Sequence, residues 1–405
     1  MRFWKLGAVA LASLTGLATA SSAPAAATPQ IERFGRVYAM SVCGHMQIAG
    51  AAHCYAKVVT DARGNILNGK PDLNRNTTPS GYSPASLQAA YRITPPSGTP
   101  GSGPTIAIVD AYGYPSAESD LNTYRTQYGL GACTTQNGCF KKVNQNGVQG
   151  SYPRTDTGWG QEQALDLDMA SAMCPTCKIV LVQATSATYT NLAAAVDRAA
   201  LMGAAVISNS YGGSESGSNS YESHYNHSGI AITVSTGDSG YGVQFPASSP
   251  HVVAVGGTSL THSGTTYAET AWDGAGSGCS SIYGILSSTQ TSGQTSCPNR
   301  AVADVSAVAD PNTGVAVYGP VTRSRSGWMV FGGTSVAAPL IGGVYGNAGA
   351  SSIGTYPTTK LYSSSSYRDV TSGSNGSCPT SVWCTAGTGW DGPTGLGTPQ
   401  TNSAF

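Results

Sequence analysis

The stretch Phe331-Gly332-Gly333-Thr334-Ser335-Val336-Ala337-Ala338-Pro339 decides how this chain is read. Two glycines and a threonine set Ser335 at a tight turn, and the small apolar residues after it predict a helix running to about Gly346. A serine at the mouth of a helix has the positive end of the dipole beside it and free backbone N–H groups that hold an anion. That is a useful place for an acyl-transfer nucleophile. The alternative is that Ser335 merely caps a buried Ala/Gly-rich helix.

A serine nucleophile needs a base, a group that orients the base, and donors for the oxyanion. The chain has six histidines (His45, His53, His224, His227, His251 and His262), and all six read as surface or structural residues. A carboxylate base is better placed. Gly160-Gln161-Glu162-Gln163-Ala164-Leu165-Asp166-Leu167-Asp168-Met169-Ala170 reads as helix. At about 100° per residue, Glu162 and Asp166 fall within about 40° of one another, whereas Asp168 lies about 200° from Asp166 and points elsewhere. Two adjacent carboxylates repel, so one tends to keep a proton, which suits shared acid and base work. A solvated acidic face is the alternative; the small apolar residues that follow argue for a packed helix. Val234-Ser235-Thr236-Gly237-Asp238-Ser239-Gly240 closes a predicted strand. Asp238 reads as an Asx-turn residue at the strand end, and as a hydrogen-bond donor it would serve only while protonated.

The pattern from Tyr82 onward predicts alternating strands and helices. Helices are expected over Ser83–Tyr91, about Ser116–Tyr128, about Gly160–Met173 and about Leu192–Met202, and strands over Thr105–Val109, Lys178–Gln183, Ala205–Ser208, Ile230–Ser235 and Val252–Val255. Such alternation implies right-handed crossovers and a mostly parallel α/β sheet covered on both faces, with functional residues at the carboxyl ends of the strands.

Composition narrows the class. Of 405 residues only 10% are charged, 20 basic and 20 acidic, which argues against nucleic-acid and electrostatic membrane partners. Residues 1–20 have the form of an export signal: a basic start at Arg2 and Lys5, an apolar run from Leu6 to about Leu17, and Ala18-Thr19-Ala20 as a small-residue cleavage site. Residues 21–80 lack strand-helix alternation, and Gly64 to Ser80 reads as an exposed linker. They are a short pro-segment cleaved in that linker, or an extension that stays attached. Ten cysteines fall as the close pairs Cys43/Cys54, Cys133/Cys139, Cys174/Cys177, Cys279/Cys297 and Cys378/Cys384. In an oxidising compartment these read as disulfides, although spacing does not fix connectivity. Cys174-Pro175-Thr176-Cys177 lacks a second C-x-x-C or nearby histidine to complete a zinc site, which favours a structural bridge. Sequons stand at Asn76, Asn226 and Asn375.

Taken in order, Glu-x-x-x-Asp on a helix, S-x-G-D-S-G after a strand and G-G-T-S-x-A-A-P before a helix resemble the sedolisins, or serine-carboxyl peptidases, across about residues 80–400. The resemblance implies a subtilisin-like three-layer fold over residues 81–405 and a secreted endopeptidase acting on polypeptides at acidic pH; a monomer is expected, with the oligomeric state left open. It implies Ser335 as nucleophile, Glu162 as base and then acid, Asp166 as the group that tunes Glu162, and Asp238 with the Ser335 N–H as the oxyanion hole. Ser208-Asn209-Ser210-Tyr211-Gly212-Gly213 resembles the edge segment that pairs with extended substrate, which points to Ser208, Tyr211, Gly212 and Gly213. One structural calcium is implied, held by Asp369 and Asp391 and by carbonyls of Val370, Gly387 and Gly389. Two rivals remain open: a neutral Ser-His-Asp peptidase with Asp110 orienting a histidine, and a non-catalytic binding protein of the same fold. The segment before the catalytic domain is much shorter than the folded pro-domain usual in sedolisins, and five cysteine pairs exceed what that family leads one to expect.

Overall fold

The protein is described from a computed structural model, in which residues 30–44, 49–67 and 79–405 are placed. The export signal of residues 1–20 and the sequon at Asn76 lie outside the described residues.

In chain order, the N-terminal segment forms β1 (Ile31–Phe34), β2 (Val37–Ser41), β3 (His53–Cys54) and β4 (Lys57–Thr60). After α1 (Pro84–Tyr91) come β5 (Thr105–Ala111), α2 (Ala117–Gln127), β6 (Phe140–Asn144), α3 (Thr157–Met173), β7 (Lys178–Ala184) and α4 (Tyr189–Leu201). Then follow β8 (Val206–Asn209), β9 (Tyr211–Gly212), β10 (Ala231–Ser235), β11 (Val253–Ser263) and β12 (Thr266–Ala271). A short ribbon of β13 (Gly278–Cys279) and β14 (Ala301–Val302) brackets the single turn α5 (Ser292–Thr295). The final elements relevant to the site are β15 (Val305–Val308), β16 (Val315–Thr322), β17 (Arg325–Gly332) and α6 (Thr334–Ala348).

The central sheet runs β12-β11-β10-β8-β5-β7-β6, with β15 beside β11. All its pairings are parallel except β11 with β12. Successive side chains on a strand face opposite ways. Ile106 and Ile108 of β5 join the core around α3 and α6, whereas Ala107 and Val109 join the core around α4. Both faces of the sheet are therefore dry, as a parallel sheet between helices requires. The strands and helices expected from Tyr82 onward are all present and within a few residues of their expected ends, except that the strand expected over Val252–Val255 runs on to Ser263 where it turns back to pair with β12.

A second, antiparallel sheet has the order β1-β2-β4-β17-β16. The strands β1, β2 and β4 are thus woven into the domain, with Ala56 and Val58 fully buried. Ten cysteines form the five disulfides that adjacent pairing suggests. Among the described residues no helix is long and apolar enough to cross a membrane.

The helices α3 and α6 lie against each other at the centre. Close approach comes from glycines on α6: a Cβ on Gly343 would stand 2.6 Å from Met173 Cβ, and one on Gly346 would stand 2.8 Å from Cys177 Sγ. This contact brings the start of α6 to the side of α3 that carries Glu162 and Asp166.

Candidate active site

Ser335 opens α6 and is fully buried. The preceding Gly333 has φ +97°, and a Cβ there would sit 2.0 Å from Tyr55 O and 2.7 Å from Asp238 Oδ2, so the turn admits only glycine. Ser335 Oγ donates to Ser210 O at 3.3 Å and accepts from Tyr55 N at 3.2 Å. Four residues on, Pro339 has no N–H to offer the Ser335 carbonyl. That carbonyl faces Ser210 Oγ at 3.4 Å instead.

The helix α3, capped by Asp156 accepting from Trp159 N at 3.0 Å, is buried on every side over the stretch that carries the carboxyls. Glu162 Oε2 accepts from Ala56 N at 2.9 Å, and Asp166 Oδ1 accepts from Ser210 Oγ at 2.8 Å. Burial, and then the Asp166 charge, drives the Glu162 carboxyl well above the usual range, with the Ser335 hydroxyl and Ala56 amide pulling the other way. Asp166 is driven up by burial and then by Asp110. Asp168 does point elsewhere, accepting from Tyr318 N at 2.9 Å.

Asp110, near the end of β5, is a third member of this acidic cluster. It is fully buried, neither carboxyl oxygen has a hydrogen-bond partner, and burial followed by the Glu162 charge raises its pKa. Its position at the end of an apolar run was the sequence signal for it, and the charged neighbours it couples to among the described residues are the carboxyls Glu162 and Asp166. His224 and His227 pair with Asp197, His251 pairs with Glu222, and His262 packs on Tyr82 and Tyr267.

Asp238 follows β10. Its Oδ1 accepts from both Thr334 N and Thr334 Oγ1 at 2.8 Å, and Thr334 Oγ1 also accepts from Gly237 N at 3.1 Å. Its Oδ2 is buried with no partner and faces the space beside Gly333. Burial pushes this carboxyl up to about 6 against the pull of Lys57 and Thr334. A protonated Asp238 donates from Oδ2 and keeps both Thr334 bonds on Oδ1.

The edge segment needs one correction. Ser208 lies inside the parallel sheet, paired with Thr233 on one side and Ile108 on the other, so its backbone is not open to an added strand. The edge starts at Ser210 and continues through Tyr211 and Gly212, and β3 lies along it, His53 paired with Gly212 and Cys54 with Tyr211. Tyr211 contributes backbone; its hydroxyl is turned inward onto Asn209 Oδ1 at 2.8 Å. A Cβ on Gly213 would meet Ala51 O at 2.6 Å.

Residues 387–391 draw the two distal carboxylates together: Gly389 N donates to Asp369 Oδ2 at 2.9 Å and Gly387 N to Asp391 Oδ2 at 3.0 Å. Among the described residues the carbonyls of Val370, Gly387 and Gly389 accept no hydrogen bond, and no cluster of three His, Cys, Asp or Glu side chains gathers. An oxygen-rich, carbonyl-dominated donor set of this kind suits a hard cation. The Asn375 sequon is closed to modification, because the residue is buried and its Nδ2 donates to Ala275 O and, at 2.7 Å, to Ser277 Oγ.

A serine at a helix mouth and buried carboxyls on the neighbouring helix, set in a three-layer α/β sheet, define a subtilisin-like fold with an acidic centre. The subtilase family model matches residues 151–368, and the chain belongs to that family, within its sedolisin branch. It is 30% identical over 364 residues to kumamolisin of Bacillus sp. (strain MN-32), across 80% of this chain and 63% of that protein. It is 28% identical over 363 residues to sedolisin of Pseudomonas sp. (strain 101), across 79% of this chain and 60% of that protein. The solved structure of Pseudomonas sedolisin, a serine-carboxyl proteinase complexed with two molecules of pseudo-iodotyrostatin, superposes with a TM-score of 0.67 at 26% identity, covering 80% of this chain and 96% of that one. The chain therefore spans about six-tenths of the length of the curated relatives it matches.

Proposed function

We propose that this chain is a secreted serine-carboxyl endopeptidase that hydrolyses peptide bonds in polypeptides at acidic pH. The observation that carries the proposal is the flanking of Ser335 by Glu162 and Asp238, two carboxyls that burial holds above their usual pKa, with the Ser335 hydroxyl acting on Glu162 and Asp238 Oδ2 left without a partner. Ser335 Oγ attacks the carbonyl carbon while its proton passes to Glu162. Protonated Asp238 and the Ser335 N–H hold the oxyanion. Glu162 then returns the proton to the leaving amine, and water hydrolyses the acyl-enzyme by the same route. Asp166, anchored by Ser210, sets the proton affinity of Glu162. Because Asp238 must be protonated to donate, activity falls as pH rises above about 6.

The test is the rate of cleavage of a denatured protein from about pH 2 to 9 for the protein and its Glu162→Gln and Ser335→Ala variants. An acid optimum lost in both supports the mechanism. Neutral activity that survives Glu162→Gln and not Ser335→Ala overturns it.

A calcium ion fits the loop of Asp369, Val370, Gly387, Gly389 and Asp391, two carboxylates with three uncommitted carbonyls. When bound it would neutralise the two carboxylates and tie residues 369–370 to 387–391. Its readout is thermal unfolding of the Ser335→Ala protein with and without a chelator.

A further inference from the structure

The strand β3 shows how an extended chain lies in this cleft. His53 pairs antiparallel with Gly212 and Cys54 with Tyr211, while on the other flank Ala52 N donates to Ala187 O and Tyr189 N to Gly50 O, both at 2.8 Å. The strand is held between two backbone rails, and its side chains alternate. His53 and Tyr55 share one side, with ring centroids 5.0 Å apart. Tyr55 is seated there against two glycines: a Cβ on Gly212 would stand 2.2 Å from its hydroxyl and one on Gly237 3.7 Å from its Cζ. Cys54, between them, faces the opposite side. It belongs to the buried cluster of Ala52, Trp159 and Tyr211, and its disulfide partner Cys43 lines a cavity of about 700 Å³ that Tyr112, Arg154 and Trp159 also line.

Arg154 is the one lysine or arginine in the described lining of that cavity, and it is uncommitted. Its guanidinium carbon lies 4.7 Å from the centroid of the Tyr112 ring, and among the described residues no carboxylate pairs with it. The carboxylate in the same lining, Asp156, is already turned to the start of α3, where its Oδ1 accepts from Trp159 N at 3.0 Å. The ring beneath the guanidinium is held firmly. Tyr112 has φ +62°, a left-handed conformation that is strained for a side chain of this size. Its N donates to Ala184 O at 2.8 Å, and Gln163 Nε2 donates to Ala111 O at 3.1 Å and to Tyr112 O at 3.3 Å. Gln163 is in turn fixed by Gln183, whose Nε2 donates to Gln163 Oε1 at 2.7 Å. Gly113 N, next along, donates to Arg154 O at 2.8 Å and ties the arginine's backbone to the same turn. Strain kept in place by a surrounding network concentrates where a protein meets its ligands. A guanidinium stacked on a fixed ring also loses little freedom when it pairs with a carboxylate.

We infer that Arg154 is a specificity-determining residue, selecting an acidic side chain, glutamate above all, at the second position on the acyl side of the bond cleaved, the place that Cys54 fills in β3. The inference rests on the peptidase reading above. The acyl residue itself falls on the Tyr55 side, where a cavity of about 460 Å³ has no Asp, Glu, Lys or Arg in its described lining. Selection by charge therefore belongs to the Arg154 side. A glutamate there brings two acceptors to a planar fork that has no rival partner, whereas a lysine brings a second positive charge. Its aliphatic stem lies along the aromatic wall of Trp159 and Tyr112, whose ring centroids are 6.2 Å apart.

The experiment measures kcat/KM of the active protein at about pH 5 on peptides that share one sequence and differ only in Glu, Gln or Lys at that second position, beside Arg154→Gln and Arg154→Glu. Arg154 is exposed, so neither substitution disturbs the core. An ion pair at the rim of a cleft supports a modest preference, so the Glu peptide should be favoured over the Gln peptide about three- to fivefold, mainly through KM, with the Lys peptide poorest. Arg154→Gln should bring the Glu-to-Gln ratio to about one, and Arg154→Glu should reverse the order of the Glu and Lys peptides. In the wild type the preference should shrink as pH falls below about 4.3, where a free glutamate takes up its proton, and as salt rises to about 1 M. Equal cleavage of the Glu and Gln peptides by the wild type, or a ratio unchanged in Arg154→Gln, overturns the inference and leaves the peptidase reading standing. A preference that ignores both pH and salt overturns it as well, because charge is then not what is read. Identical inert behaviour of the wild type and Ser335→Ala on every peptide overturns both.

Discussion

Replacing Asp238 by asparagine isolates one titration in the centre of the site. Burial raises this carboxyl from its ordinary 3.8 to about 6, so the folded protein binds the proton more tightly than the unfolded chain does. Between about pH 4 and 6 the native state holds a proton that the unfolded state has lost, so stability falls as pH rises through that window and the loss is complete above it. A shift of about two units corresponds to about 3 kcal/mol. Asparagine keeps an oxygen for Thr334 N and Oγ1 and presents a neutral amide where Oδ2 stands, so it escapes the loss. Buried carboxyls that do not feel Asp238 titrate alike in both proteins and cancel in the difference, whereas Glu162, which the Asp238 charge also raises, adds to it in the same direction. Urea denaturation in the Ser335→Ala background, which prevents self-digestion, should give nearly equal midpoints at about pH 4. At about pH 8 the Asp238→Asn midpoint should be higher by about 1 M, taking a slope of about 3 kcal/mol per M. A midpoint difference that is the same at both pH values would refute the claim that Asp238 is held protonated by its surroundings.

The other substitutions and ligands give equally direct readouts. Glu162→Gln keeps the shape of the side chain but cannot take the Ser335 proton, and should lower kcat by about a thousandfold with KM little changed, measured on a peptide at acidic pH. Gly333→Ala puts a methyl 2.0 Å from Tyr55 O at a φ of +97° and should destabilise the unprocessed chain by more than about 2 kcal/mol in urea, with activity lost. Chelation of calcium should lower the melting temperature of the Ser335→Ala protein, and added calcium should restore it in proportion to the logarithm of its concentration.

Much of this molecule was legible where chemistry and local pattern coincide. The apolar runs of β5, β7 and β10 and the small-residue helix α6 announce a buried parallel sheet, because both faces of such strands must be apolar. Glu162 and Asp166 were found by helical spacing, and Ser335 and Asp238 by their turns. What escaped depends on partners far away in sequence. Whether Ser208 or Ser210 begins the edge is decided by how far β10 and β5 run alongside β8, which no residue within that stretch records. The Asn375 sequon carries no local sign of its burial, which comes from the carbonyl of Ala275, 100 positions away. The deepest omission concerns residues 30–67. Their period-two content was too short to stand out, and the glycine-rich tail after them suggested a detachable leader. Yet Ala56 N meets Glu162 across 106 positions and Tyr55 N meets Ser335 across 280. A segment too small to fold by itself is ordered here by borrowing a strand edge and a pocket from the domain that follows. The residues that make an edge and a pocket available to any extended chain are the ones that make a peptidase, so this leader is held by the same backbone donors, glycine walls and acidic centre that would hold a substrate.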